Sequence, residues 1–212
     1  MLPQGHDRIA LWGVLLVLLI TGLLFLWSRA HYHQGVDTVA TEVDGAGHLH
    51  ILGITLGVTT LRQAESALQS KSDVALYIYP QEHPKAGLKL EAFFPAIADH
   101  TKVILLLDQN IHQLQEIERR ATTPHLYENG VARMNLAAMD VRRAYDMVVR
   151  ELTLIPNLTI SPATLKGRFG EPSSMRPIDE SSAVYQYDDI ALTAVISEMD
   201  SPVLHFVNPS PR

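Results

Sequence analysis

Ten histidines in a chain with no cysteine are the residues most open to a chemical reading. His31-Tyr32-His33 and His48-Leu49-His50 form two His-x-His pairs. Alternate residues of an extended strand share a face, so each pair offers two imidazoles of the kind that Zn²⁺ or Cu²⁺ takes. A pair is half a site, and no nearby carboxylate is obviously placed to complete it. The other reading is polar histidines in a tether and at a strand edge, with a pH-sensing role conceivable from an ordinary imidazole pKa of about 6.5. Asp188-Asp189 resembles an acidic dyad, yet adjacent strand residues point to opposite faces, and Tyr187-Asp188-Asp189-Ile190 reads as a hairpin turn. Asn157-Leu158-Thr159 fits the glycosylation sequon, which matters only in a eukaryotic secretory pathway.

Other chemistries lack their signatures. The chain has no Gly-x-Ser-x-Gly elbow, His-Glu-x-x-His, Walker loop or Gly-x-Gly-x-x-Gly. Absence of cysteine removes disulfides, thiolate nucleophiles, Cys-ligated zinc, iron–sulfur clusters and the acylated Cys of a lipoprotein. The net charge is −6 and the Lys and Arg residues are scattered, so no basic stripe is present to neutralise phosphates. The expectation is a protein that is not an enzyme, holds no cofactor and binds no nucleic acid.

Protein recognition remains. Tyr77, Tyr79, Tyr185 and Tyr187 fall in strand candidates, together with Phe93, Phe94 and Phe206. In each Tyr-x-Tyr pair both rings share a face, so a pair is wholly core or wholly exposed. Core is the preferred reading, and an outward binding face is the alternative, because tyrosine offers contact area at low entropy cost. Arg142 and Arg143 stand on the polar side of an amphipathic pattern. With the four tyrosines they are the candidate partner-binding residues.

The elements that position these residues follow from the hydropathy pattern. Residues 9–27 (IALWGVLLVLLITGLLFLW) carry no charge. As a helix they span roughly 29 Å, against a hydrocarbon core of about 30 Å. Trp12 and Trp27 lie toward the ends, and Arg8 and Arg29 bracket the run. An uncleaved signal anchor is expected; a cleaved signal peptide ending at Ser28-Arg29-Ala30 is the competitor. With a short tail at residues 1–8 and a large domain beyond, the expected location is a bacterial inner membrane. The chain would cross it once, with the C-terminal domain in the periplasm. Residues 28–47 read as a tether.

Two segments then repeat an order of elements. Thr60-Leu61-Arg62-Gln63 is a capping box, followed by Leu61, Ala64 and Leu68 at helical spacing. Ser161-Pro162 pairs an N-cap with proline at the first helical position, and Gly170 and Pro172 close that helix. Strand candidates follow each helix: 74–79, 87–94 and 102–107 after the first, 183–187, 190–196 and 203–207 after the second. Between them, Asn110 and Gln113 cap a stripe of Ile111, Leu114 and Ile117. A longer stripe from Met134 to Leu152 predicts one amphipathic helix over 132–152. Its polar side carries Asp140, Arg142, Arg143, Asp146 and Arg150. The expected fold is α+β: a transmembrane helix, then two α-β-β-β units at 48–109 and 152–212. Each is a short helix on a three-stranded antiparallel meander, and a helical insert fills 110–151.

The unit that opens Gly57-Val58-Thr59-Thr60-Leu61 resembles the small outer-membrane assembly lipoprotein fold of the SmpA/OmlA type. The beta-lactamase inhibitor protein carries the same unit in tandem. The second copy, from Ser161 through Gly170-Glu171-Pro172 to Tyr185 and Tyr187, looks closer to that pattern. The chain departs from the lipoproteins in having a spanning helix instead of a lipid-modified Cys, and a helical insert. The resemblance implies a binding or assembly module of the cell envelope, without catalysis and with another protein as partner. The competing expectation is a domain that senses a metal or small ligand through its histidine pairs.

Overall fold

The computed structural model describes residues 41–97 and 100–209. Residues 9–27, the expected anchor, and His31 and His33 lie outside the described residues. Among the described residues no helix is long and apolar enough to cross a membrane.

The described chain opens as a three-stranded ribbon: β1 (Thr41–Val43), β2 (Leu49–Ile51) and β3 (Ile54–Thr55). Residues 41–47, read above as tether, are therefore a strand and a turn. The Asp44 carboxylate builds that turn by accepting from the Ala46 and His48 amides, both at 2.9 Å. Leu52 and Gly53 link β2 to β3, both at positive φ (53° and 74°), which matches a two-residue primed hairpin turn.

Next come α1 (Leu61–Leu68), β4 (Asp73–Tyr79), β5 (Gly87–Phe94), β6 (Lys102–Leu107) and α2 (Ile111–Arg120). Both helices begin with the expected reciprocal capping box, Thr60 with Gln63 and Asn110 with Gln113. After them stand β7 (His125–Leu126), β8 (Ala132–Asn135), α3 (Ala138–Ala144), β9 (Val149–Ile155) and α4 (Pro162–Phe169). The chain ends with β10 (Ser174–Pro177), β11 (Ser182–Tyr187), a 3₁₀ turn at Asp188–Ile190, β12 (Leu192–Ser197) and β13 (Val203–Phe206).

Ten strands form one antiparallel sheet in the order β10-β11-β12-β13-β9-β6-β5-β4-β8-β7. β4–β6 is the expected three-stranded meander after α1, but α4 is followed by a four-stranded meander, β10–β13, so the second unit carries one edge strand more than expected; β9 joins the two edge to edge. Leu76, Leu90, Leu105, Leu152, Leu204 and Phe206 fill one side of the sheet. Leu61 of α1, Leu114 of α2, Ala144 of α3 and Leu165 of α4 belong to the same cluster, so all four described helices cover that side.

The predicted helix over 132–152 is not one element. Its N-terminal part is β8, paired with β4 so that Met134 meets Leu76, and its C-terminal part is β9, paired with β6. Only Ala138–Ala144 is helical. The apolar spacing suited a helix, but the flanking segments satisfy their backbone groups in a sheet that buries the same side chains better. The insert over 110–151 is accordingly two helices with a hairpin between them, and β9 opens within it.

Candidate functional site

The second side of the sheet carries the partly exposed strand residues, and among the described residues no helix packs on it. Strand alternation assigns them. β4 contributes Tyr77 and Tyr79, β5 Lys89, Glu91 and Phe93, and β6 Ile104 and Leu106. Beyond the seam β9 adds Glu151, Thr153 and Ile155, β13 Val203 and His205, and β12 Thr193 and Val195. Leu106 stands opposite Glu91 on one side and Glu151 on the other, so the two carboxylates flank a leucine. The register slips between Leu106 and Leu107, where Arg150 is the extra residue of a β-bulge. The bulge lets Val149 enter the core while Glu151 stays on the uncovered side.

A polar row crosses the middle of this face. The Tyr79 hydroxyl donates to both Glu91 carboxylate oxygens, at 3.1 and 3.0 Å, and Lys85 Nζ lies 3.7 Å from the same group. The His83 ring stacks on Tyr79 at 4.6 Å, laying the β4–β5 loop against the row. Across the seam, His205 Nε2 is 3.3 Å from Glu151 Oε2 and its Nδ1 is 3.0 Å from the Thr153 hydroxyl. Glu91 is 3% exposed and Thr153 5%, although both stand on the side without helices.

Burial pushes the Glu91 carboxyl above its usual range, against the pull of Lys85 and the Tyr79 hydroxyl; Glu151 adds a smaller upward push. Burial likewise raises the Tyr79 phenol, helped by the Glu91 charge. For His205 burial lowers the imidazole below its ordinary value; Glu151 opposes this and Lys85 reinforces it.

The sequence candidates separate onto different surfaces. Tyr77 and Tyr79 are half-buried on the uncovered face, their rings 6.2 Å apart. Tyr185 and Tyr187, 5% and 3% exposed, face the helices, where Tyr187 packs on Phe169. Tyr185 and Tyr187 are thus core and leave the set of contact residues. Arg142 and Arg143 are exposed on α3, on the helical side, so they share no surface with Tyr77 and Tyr79. Asp140, expected on the polar side of that helix, is buried and takes a bidentate pair of bonds from Arg120, both 2.9 Å.

His48 and His50 share a face as expected, and Asp44 stands between them. Asp44 Oδ2 is 3.5 Å from His48 Nδ1 and 3.1 Å from His50 Nε2, and His50 Nδ1 reaches the Thr55 hydroxyl at 2.9 Å. The amide of His48, then the His50 ring, hold the Asp44 carboxyl down to about 2. Among the described residues no group of three or more His, Cys, Asp or Glu side chains is placed to hold a metal ion. These contacts make the cluster a clasp for the first turn of the ribbon.

Sequence reasoning passed over Glu91, Glu151, Thr153 and His205. A signal was present: each is a polar residue among apolar ones in its strand, His205 alone in β13, Glu91 with Lys89 in β5, and Glu151 and Thr153 with Arg150 in β9. Alternation places all four opposite the leucines. No protein-family model, curated protein or solved structure matches the chain.

Proposed function

We propose that this chain is a non-enzymatic, membrane-anchored envelope protein whose sheet docks a folded partner protein on its uncovered face. The observation that carries the reading is a ten-stranded sheet with all four described helices on one side and a row of partly buried aromatic and aliphatic side chains on the other. Ten strands at about 4.8 Å, averaging about 5.4 residues at 3.3 Å, give a face of roughly 43 by 18 Å, or about 770 Å². That is close to the roughly 800 Å² each partner contributes to a stable interface. Tyr77, Tyr79 and Phe93 supply the aromatic anchors that such interfaces favour, and the row from Glu91 to His205 supplies polar groups for orientation.

The anchor belongs to the same reading and rests on the uncharged run at 9–27. So does descent from one duplicated unit related to the SmpA/OmlA type, with α1 and β4–β6 as one copy and α4 and β11–β13 as the other. A helix followed by an antiparallel meander in both halves supports it, with β10 as an added strand in the second.

Site-specific photocrosslinking tests the docking face in native membranes carrying the full-length chain. A photoreactive residue at Phe93, Ile104 or Val195 is expected to give one dominant protein adduct. The same residue at Glu116, exposed on α2, is expected to give none. Absence of an adduct from all three face positions, or an equal adduct from Glu116, overturns the proposal.

A further inference from the structure

The uncovered face has two unlike halves, one on each side of the β6–β9 seam. β4 and β5 bring the large rings of Tyr77, Tyr79 and Phe93, whereas β12 and β13 bring the small Thr193, Val195 and Val203. Charge divides the same way. Lys89 on β5, Lys85 in the β4–β5 loop and Arg133 on β8 stand on the aromatic side, and β12 and β13 hold no Lys, Arg, Asp or Glu. The ribbon β1–β3 adds a direction. It stands at the end of the sheet where β9 begins and β13 ends: the Gly57 amide donates to the Val149 carbonyl at 2.8 Å, and Asn208 accepts from the Leu49 amide at 2.9 Å.

Resting on the docking reading above, we propose that the partner is a second copy of this chain, packed face to face about a twofold axis that runs along the β6–β9 seam. Such an axis lays β5 and β4 of each copy over β13 and β12 of the other, so rings meet small side chains and the two inner surfaces interdigitate. The cations of each copy come to rest over strands without charge, and like charges stay apart. An axis across the strands would instead stack each aromatic, cationic half on its own kind. The axis along the strands also leaves both ribbons, where the chain enters at Thr41, at the same end. Two chains anchored through 9–27 in one membrane meet that condition, and an axis across the strands breaks it. Two faces of about 770 Å² bury about 1,540 Å², inside the roughly 1,200–2,000 Å² of a stable interface.

The chain has no cysteine of its own, so engineered ones report contacts cleanly. Full-length copies carrying two different epitope tags are co-expressed and treated in native membranes with a short bis-maleimide. Ile104→Cys, beside the axis in sheets about 10 Å apart, is expected to give a product with both tags at twice the chain's mass. Glu116→Cys on α2 is expected to give none. Phe93→Cys in one copy is expected to link to Val203→Cys in the other, and severalfold less to Phe93→Cys. Val195→Arg, added to Ile104→Cys, sets a cation against the cationic half of the other copy. It is expected to cut the product severalfold with the circular dichroism of the sheet unchanged, and Val195→Thr is expected to keep the product. An equal two-tag product from Glu116→Cys reports crowding in the membrane and overturns the inference. So does equal linking of Phe93→Cys to itself, or a full yield with Val195→Arg. Absence of the two-tag product overturns it as well. A photoadduct to a different protein at Phe93, Ile104 or Val195 then leaves the docking reading standing, and no photoadduct at all removes both.

Discussion

Tyr187 poses a residue-scale question, because its hydroxyl is buried in the core without a hydrogen-bond partner among the described residues. A buried polar group left unpaired costs about 1–3 kcal/mol, and removing it recovers part of that. Tyr187→Phe keeps the ring against Phe169 and is expected to stabilise the fold by about 1 kcal/mol, raising the melting temperature by about 2–4 °C. A loss of stability in a thermal melt would mean that the hydroxyl is bonded in solution. Glu91 is the opposite case, a buried carboxylate that does have partners. Its folded pKa lies above the ordinary 4.5, chiefly through burial, so it penalises the fold once pH rises through the folded value. Glu91→Gln keeps an acceptor for the Tyr79 hydroxyl and carries no charge. Its melting temperature is expected to exceed that of the parent at pH 8 and to match it near pH 4. An unchanged melting curve at pH 8 would show that Lys85 and Tyr79 fully compensate the buried charge.

At the scale of elements, the Arg120–Asp140 pair couples the end of α2 to the start of α3. The two partners are unequally buried: the Asp140 side chain is 2% exposed and that of Arg120 34%. Losing Arg120 strands a carboxylate in the interior, where Arg143 at 3.9 Å is the remaining cation beside it among the described residues, whereas losing Asp140 leaves a guanidinium that still reaches water. Arg120→Ala is therefore expected to cost about 3 kcal/mol and Asp140→Ala about half of that, measured by urea unfolding. Equal costs would contradict the unequal burial. This pair was not legible in the sequence, where Asp140 read as one charge on the wet side of a long helix. What was legible rested on local chemistry. The Thr60 and Asn110 capping boxes, the Ser161-Pro162 start and the strands at 87–94 and 102–107 are set by residues a few positions apart. The stretch over 132–152 failed because its fate is decided by strands far away in sequence, β4 for one end and β6 for the other. The tyrosine pairs part for a related reason: the preferred core reading holds for Tyr185 and Tyr187, while Tyr77 and Tyr79 stand on the other face. The Tyr-x-Tyr spacing is the same in β4 and β11, but the two strands differ in register by one residue relative to the core, which exchanges the faces. The polar row needed strand order as well as alternation, since Glu91, Glu151 and His205 come from three strands brought near each other by topology alone.

On the scale of the whole described domain, the last described strand holds the first ones in place. Beyond β13, the Asn208 side chain accepts from the Leu49 amide at 2.9 Å and donates to the Leu56 carbonyl at 3.0 Å. Gly57 sits beside it with φ +82°, and a Cβ there would meet Asn208 Nδ2 at 3.0 Å. Asn208→Ala is expected to cost about 1–2 kcal/mol and to speed amide exchange at Leu49 and its neighbours in the ribbon, while β4–β6 stay protected. Uniform loss of protection would mean that the ribbon and the sheet unfold as one unit. Stability against acid also belongs to this scale, because its groups are spread over the domain. Asp44 and Asp179 are held low chiefly by amide bonds; Glu65 is pushed up by burial, but Lys71 and Ser72 outweigh this and hold it low. A depressed carboxyl stabilises the fold above its unfolded value and loses that contribution as pH falls through the folded one. His205 is depressed too, so the unfolded chain takes its proton first, and stability begins to fall below the ordinary 6.5. Glu91 acts against this, since its raised pKa makes the folded chain bind a proton earlier than the unfolded one, a gain as pH drops toward 4.5. The melting temperature is therefore expected to change little between pH 6.5 and 4.5, where His205 and Glu91 oppose each other, and to fall steeply below pH 4. His205→Asn should convert the shallow region into a rise toward acid, and Glu91→Gln should convert it into a decline. If both variants follow the parent curve across that window, neither group is coupled to folding.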